Sequence, residues 1–145
     1  MALAGYPCKS ISKQNNKAES FKDATSKTGS GFKATMQYTD YARPSVLITE
    51  NVASMSHKRA SFDNEVPINI QNDAMKRRGY DCWYWVVNAN QFGLQQSRTR
   101  CWAVYIKREE YNLERNFGFV EHVFDENLLV FIAALFYLLG FVWHL

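Results

Sequence analysis

The run Ser45-Val46-Leu47-Ile48-Thr49 is the feature that most narrows the fold. It is short, apolar and rich in β-branched residues, and it is boxed in by Pro44 on one side and polar Glu50-Asn51 on the other. Such a run reads as a buried strand of the kind found in parallel sheets. Its neighbours have other periods. Phe32 to Tyr41 predicts a short helix that stops before Arg43-Pro44, because proline disfavours helical geometry in the residue before it. Pro67 to Arg78 predicts a second helix, with proline in the first turn, Lys76-Arg77-Arg78 at the negative end of the dipole and Gly79 as the cap. Tyr80 to Ala89 and Cys101 to Ile106 read as further strands. Strands alternating with helices predict an α/β domain on a parallel or mixed sheet.

The flanks differ from this middle. Residues 1–31 are rich in Ser, Lys, Asn and Gly and read mostly as loop, and residues 108–127 read as an irregular segment or linker. Residues 128–145 are almost wholly apolar; as a helix they would measure about 27 Å, the low end for crossing a bilayer. They read either as a buried helix or as a tail anchor, and the acidic flank of Glu121, Asp125 and Glu126 speaks against the anchor.

With 145 residues, 47% hydrophobic, the chain is long enough for one packed domain. A net charge of +3 is too small to point to nucleic acid by itself. Cys8, Cys82 and Cys101 form no CxxC pair, and His57, His122 and His144 show no ligand spacing, so neither a disulfide framework nor a metal site is expected. Cys82 and Cys101 sit in apolar surroundings and read as ordinary core thiols.

Three pieces carry chemistry. Gly5-Tyr6-Pro7-Cys8 offers a thiol on a loop, and a thiol acts as a nucleophile in its thiolate form. Glu50-Asn51-Val52 places a carboxylate directly after a strand, where α/β sheets bind ligands and where acid–base work is done. Gln96-Ser97-Arg98-Thr99-Arg100 enters a strand with Gln96, Arg98 and Arg100 alternating onto one face, and guanidiniums can hold a phosphate or a base carbonyl. Taken alone, each is as readily a chance pair, a solvated strand end or an exposed basic edge.

Together and in this order they resemble the signature motifs of the cytosine-5 DNA methyltransferases. GYPCKSISKQNN is similar to the family's Pro-Cys nucleophile loop, PSVLITENV to its Glu-Asn-Val strand end, and VVNANQFGLQQSRTRCW to its Gln-x-Arg-x-Arg motif. The resemblance covers residues 4–107; the family's usual Gln after the nucleophile is Lys9 here. It implies a partial catalytic domain over residues 1–107. The implied fold is an incomplete Rossmann-like, S-adenosylmethionine-dependent methyltransferase fold with only its central and late strands, followed by the apolar helix. The implied activity is methyl transfer to carbon 5 of cytosine through a covalent Cys8 adduct. Glu50, Arg98 and Arg100 would act on the ring, Pro7 would touch the cofactor, and Ser10, Ser12, Lys13 and Gln96 would touch nucleic acid.

The implied cofactor is S-adenosylmethionine, yet the family's glycine-rich cofactor loop normally precedes the Pro-Cys loop, which begins this chain, so most of that pocket has no counterpart and the chain alone is expected to be inactive. The implied partner is DNA, with tRNA as the alternative. The implied location is the nucleus in a eukaryote and the cytoplasm otherwise. The other readings are a non-catalytic remnant and a tail-anchored membrane protein.

Overall fold

The computed structural model describes residues 1–7, 11, 25–58, 64–92, 95 and 97–110. These fall into two units, one made of Met1–Val87 with Thr99–Glu110, the other containing Asn88–Arg98. Cys8, Ser10, Ser12, Lys13 and Gln96 lie outside the described residues, as do 111–145, which include the apolar stretch. Among the described residues no helix is long and apolar enough to cross a membrane.

The first unit follows the order β1 (Ala2–Gly5), α1 (Lys27–Ala42), β2 (Val46–Val52), α2 (Pro67–Lys76), β3 (Tyr80–Asn88) and β4 (Thr99–Lys107), β3 ending one residue into the second unit. The strands form one sheet in the order β1-β2-β4-β3. β1 and β2 are parallel, with Gly5 beside Glu50, and α1 makes the crossover between them. β2 and β4 are antiparallel, with Glu50 opposite Trp102 and Val52 opposite Arg100. The expected mixed α/β sheet is therefore present, and its parallel half is the βαβ unit of a partial Rossmann-like fold.

Several boundaries moved, each for a physical reason. α1 starts five residues before the expected Phe32, so residues 27–31 are helix rather than loop. The Ser26 hydroxyl accepts the Gly29 N–H at 2.9 Å and caps the helix. Two threonines inside it satisfy themselves by donating back one turn, Thr35 to the Gly31 carbonyl at 2.9 Å and Thr39 to the Thr35 carbonyl at 2.8 Å. The helix leaves through Arg43, in the left-handed region at φ 43°, just ahead of Pro44. α2 begins at Pro67 as expected but ends at Lys76, and Gly79 takes the left-handed turn at φ 84°. Arg78 lies past the helix end and grips Asp40 of α1 through two bonds of 2.7 and 2.9 Å. Those bonds hold the Asp40 carboxyl below its ordinary range.

The core lies on the sheet face that carries Leu47, Cys101, Ala103 and Tyr105, packed against Met36 of α1 and Ile68, Ala74 and Met75 of α2. Cys101 belongs to it, as expected, whereas Cys82 is half-buried beside it. The other face carries Ile48, Trp102 and Val104, which are buried as well. β3 is tied to β4 by Ala89 N–H to the Arg98 carbonyl at 3.0 Å and by Arg108 N–H to the Gly79 carbonyl at 2.9 Å, bonds that run as an antiparallel hairpin requires.

The buried and half-buried thiols and phenols give the fold an alkaline limit. Burial pushes Cys82 up to about 11 and Cys101 up to about 12 from an ordinary 9.0, and it raises Tyr6 and Tyr105 as well. Each of these groups holds its proton more tightly folded than unfolded. The stability they lend is whole below the ordinary thiol value of 9.0 and is lost as the pH climbs through about 11 and 12. The unfolding temperature, followed by circular dichroism, is expected to stay level up to about pH 8.5 and to fall steadily from there to pH 11. A level profile across that whole range would contradict this assignment of the buried acids.

Candidate active site

Because β1 and β2 run parallel and β4 runs against them, the end of β1, the end of β2 and the start of β4 meet at one end of the sheet. That end holds Gly5-Tyr6-Pro7, Glu50-Asn51-Val52 and Thr99-Arg100. It is the carboxyl end of the parallel strands, where α/β sheets place their ligands.

Glu50 was expected just after its strand. It lies within β2, because the ladder to β4 continues through Val52. The polar residues can stay in the sheet because each finds a partner. Glu50 and Trp102 sit opposite each other, so their side chains share a face, and Arg100, two residues before Trp102, shares it too. From that diagonal position Arg100 Nε reaches Glu50 Oε1 at 2.8 Å; the side chains are 25% and 22% exposed. The same guanidinium donates through Nη1 to the Thr99 carbonyl at 2.9 Å, which sets its plane. The second carboxylate oxygen of Glu50 faces Gly5, 3.8 Å from where a Cβ would stand. The Glu50 charge is also felt below the sheet, where it adds to burial in raising the Cys101 thiol.

Asn51 points to the opposite face. Its Nδ2 donates to the Tyr6 carbonyl at 3.3 Å and its Oδ1 accepts the Val52 N–H at 2.9 Å. Ser54, in the short 3₁₀ turn Ala53–Ser56, donates to the Ile11 carbonyl at 2.7 Å, and Ile11 is fully buried in the core. Tyr6 and Ile11 are thus both tied to the Glu50 strand and the turn that follows it. Cys8, expected as the nucleophile, falls in the sequence between these two anchored points and outside the described residues.

Arg98 belongs to the second unit. Its N–H donates to Asn88 Oδ1 at 2.9 Å, and Asn88 Nδ2 reaches the Ser97 hydroxyl at 3.1 Å. Its Nε is buried with no hydrogen-bond partner among the described residues. Pro7 is exposed.

The sequence reading missed Tyr6, Asn51, Ser54, Gly31 and Gln71. One signal was available: Gln71 and Asn72 interrupt the Ile68 to Met75 apolar stripe of α2, and a polar residue on a buried stripe has a partner to find.

A βαβ unit carries the Glu50–Arg100 carboxylate–guanidinium pair at the carboxyl end of its parallel strands. Residues 1–129 match the family model described as C-5 cytosine-specific DNA methylase, and the chain belongs to that family. DNA (cytosine-5)-methyltransferase 1 of Gallus gallus is 30% identical to it over 105 residues, covering 69% of this chain and 6% of that protein. Type II methyltransferase M.Bsp6I of Bacillus sp. (strain RFL6) is 30% identical over 118 residues, covering 81% of this chain and 35% of that protein. The crystal structure of the S. pombe Dnmt2 methyltransferase overlaps 72% of this chain and 30% of its own, with a TM-score of 0.49 at 17% identity. The chain therefore spans only a small part of the relatives it matches.

Proposed function

We propose that this chain carries the ring-activating half of DNA cytosine-5 methylation. Cytosine carbon 5 is a weak nucleophile while the ring stays aromatic. In this reading the Cys8 thiolate forms a bond to carbon 6, and the electron pair of the 5,6 double bond moves into the ring toward nitrogen 3. The Glu50 carboxyl gives nitrogen 3 a proton and returns to carboxylate, the form that Arg100 grips at 2.8 Å. Arg100 keeps further donors for the ring carbonyl, and Arg98 supplies a second guanidinium for the carbonyl or the sugar–phosphate. Ser10, Ser12, Lys13 and Gln96 would hold the nucleic acid. The observation that carries this reading is the Glu50–Arg100 pair at the sheet end where Tyr6 and Pro7 deliver the chain to Cys8.

S-adenosylmethionine is the methyl source of the family. An open depression of about 460 Å³ against β1 and α1 is lined by Ala2, Leu3, Ala4, Ala34, Thr35 and Tyr38, none of which carries a carboxylate for a ribose. DNA is favoured over tRNA because the curated relatives are named as DNA methyltransferases or as a type II methyltransferase. A DNA substrate also favours the nucleus in a eukaryotic cell.

The test needs no methyl donor. A single-stranded oligonucleotide carrying 5-azacytosine removes the need for base extrusion, and its electron-poor carbon 6 accepts a thiolate while the displaced electron pair passes through the conjugated ring to nitrogen 3, which takes the proton. Wild-type chain is expected to form a covalent complex on a denaturing gel, and Cys8→Ser is expected to form none. Adduct on Cys8→Ser would remove Cys8 from the mechanism, and no adduct on either would overturn the ring-activating reading.

A further inference from the structure

The Gly5–Pro7 segment that leads to Cys8 is held by a buried polar network. The Tyr6 phenol donates to Gln71 Oε1 of α2. Gln71 Nε2 donates to Thr49 Oγ1 at 2.9 Å, and Thr49 is the residue before Glu50 on β2. Tyr105 donates to Asn72 Oδ1 at 3.1 Å and also meets the Thr49 hydroxyl. Tyr6, Thr49, Gln71 and Tyr105 are all buried. The Tyr6 ring stands edge-on to Phe32 of α1, centroids 6.3 Å apart. Gly31 lets α1 come this close, because a Cβ there would stand 2.8 Å from Tyr6 Cβ and 3.2 Å from Pro7 Cδ.

We infer that Tyr6 and Gln71 are positioning residues, whose hydrogen bond sets the Gly5–Pro7 backbone in register with the strand that carries Glu50. Apolar packing would hold the same volume at no loss of stability, since replacing both partners of a buried hydrogen bond by apolar groups is close to neutral. What the hydrogen bond adds is direction: a fully satisfied polar network admits one arrangement where an apolar contact admits several. Gln71 is the centre of it, because one amide grips Tyr6 through its oxygen and the acid-bearing strand through its nitrogen. The Gly5–Pro7 backbone and the stretch of β2 that leads into Glu50 are thereby referred to one common point. This inference rests on the ring-activating reading for what the positioned thiol does.

The experiment is a double-mutant cycle on the full chain with Tyr6→Phe, Gln71→Met and the double variant, reading the maximal rate and the half-saturating concentration of 5-azacytosine adduct formation. Each single variant is expected to lose between about tenfold and a hundredfold in maximal rate, the scale on which slight misplacement slows a reaction, at unchanged half-saturation. The double variant is expected to be no slower than the slower single one, because the two residues act as a unit. Hydrogen exchange of residues 2–7 in the free chain is read in parallel and is expected to quicken in Tyr6→Phe, which retains the ring. Losses that multiply in the double variant, or wild-type exchange in Tyr6→Phe, would overturn the inference. Should wild type form no adduct, the ring-activating reading fails, and the exchange result alone decides whether the pair fixes the Gly5–Pro7 segment.

Discussion

Glu50→Gln is expected to slow covalent addition to the cytosine ring by about a hundredfold to ten-thousandfold, the range contributed by a well-placed proton donor. The amide keeps the size of the side chain and an oxygen for Arg100, so the sheet end keeps its shape. It loses the proton that nitrogen 3 takes up as the thiolate adds. The fold has little reason to respond. The Glu50–Arg100 pair is about a quarter exposed and the amide oxygen still accepts from Arg100, so its loss should cost only about 1–2 kcal/mol. Activity and stability therefore separate in this variant. Time courses of 5-azacytosine adduct formation, with the unfolding temperature measured alongside, check both halves. A wild-type rate would remove Glu50 from the chemistry, and a slow rate with a collapsed fold would mark it as structural.

Trp102→Ala is expected to show the reverse pattern, with the largest loss of stability among the residues described. Trp102 is 1% exposed and lies opposite Glu50 on the sheet face that also carries Ile48 and Val104. Truncating a buried tryptophan costs about 3–5 kcal/mol through lost burial and the cavity left behind. Domains of this size are held by about 5–15 kcal/mol, so the variant would keep only part of its margin. It also removes the wall behind the ion pair, since the indole stands directly opposite Glu50 and two residues from Arg100. Urea unfolding is expected to show a lower midpoint at an unchanged slope. A loss below about 1 kcal/mol would mean that the indole packs loosely, against its near-complete burial.

Much of the scaffold was legible because local chemistry and tertiary structure agree. Pro67 starts α2 and Gly79 turns the chain after it, as their backbone preferences require. The β-branched run after Pro44 is a buried strand paired on both sides. Reading failed where a distant partner changed the meaning of a residue. Ser26, Gly29 and Gly31 look like loop residues, but Ser26 is a cap and Gly31 is a point of close approach to Tyr6 and Pro7. Glu50 and Asn51 look like the end of a strand, but Arg100 and the Tyr6 carbonyl satisfy them inside it. The three chemical motifs were visible through resemblance, whereas the Tyr6–Gln71 bond joins residues 65 positions apart and has no local signature.

The most direct measurement is a crystal structure of the chain trapped on a 5-azacytosine oligonucleotide. The account predicts continuous density from the Cys8 sulfur to carbon 6, with the Glu50 carboxyl on nitrogen 3 and the Arg100 guanidinium on the ring carbonyl. A base bound through another residue, or one that leaves Glu50 and Arg100 facing only each other, would contradict it.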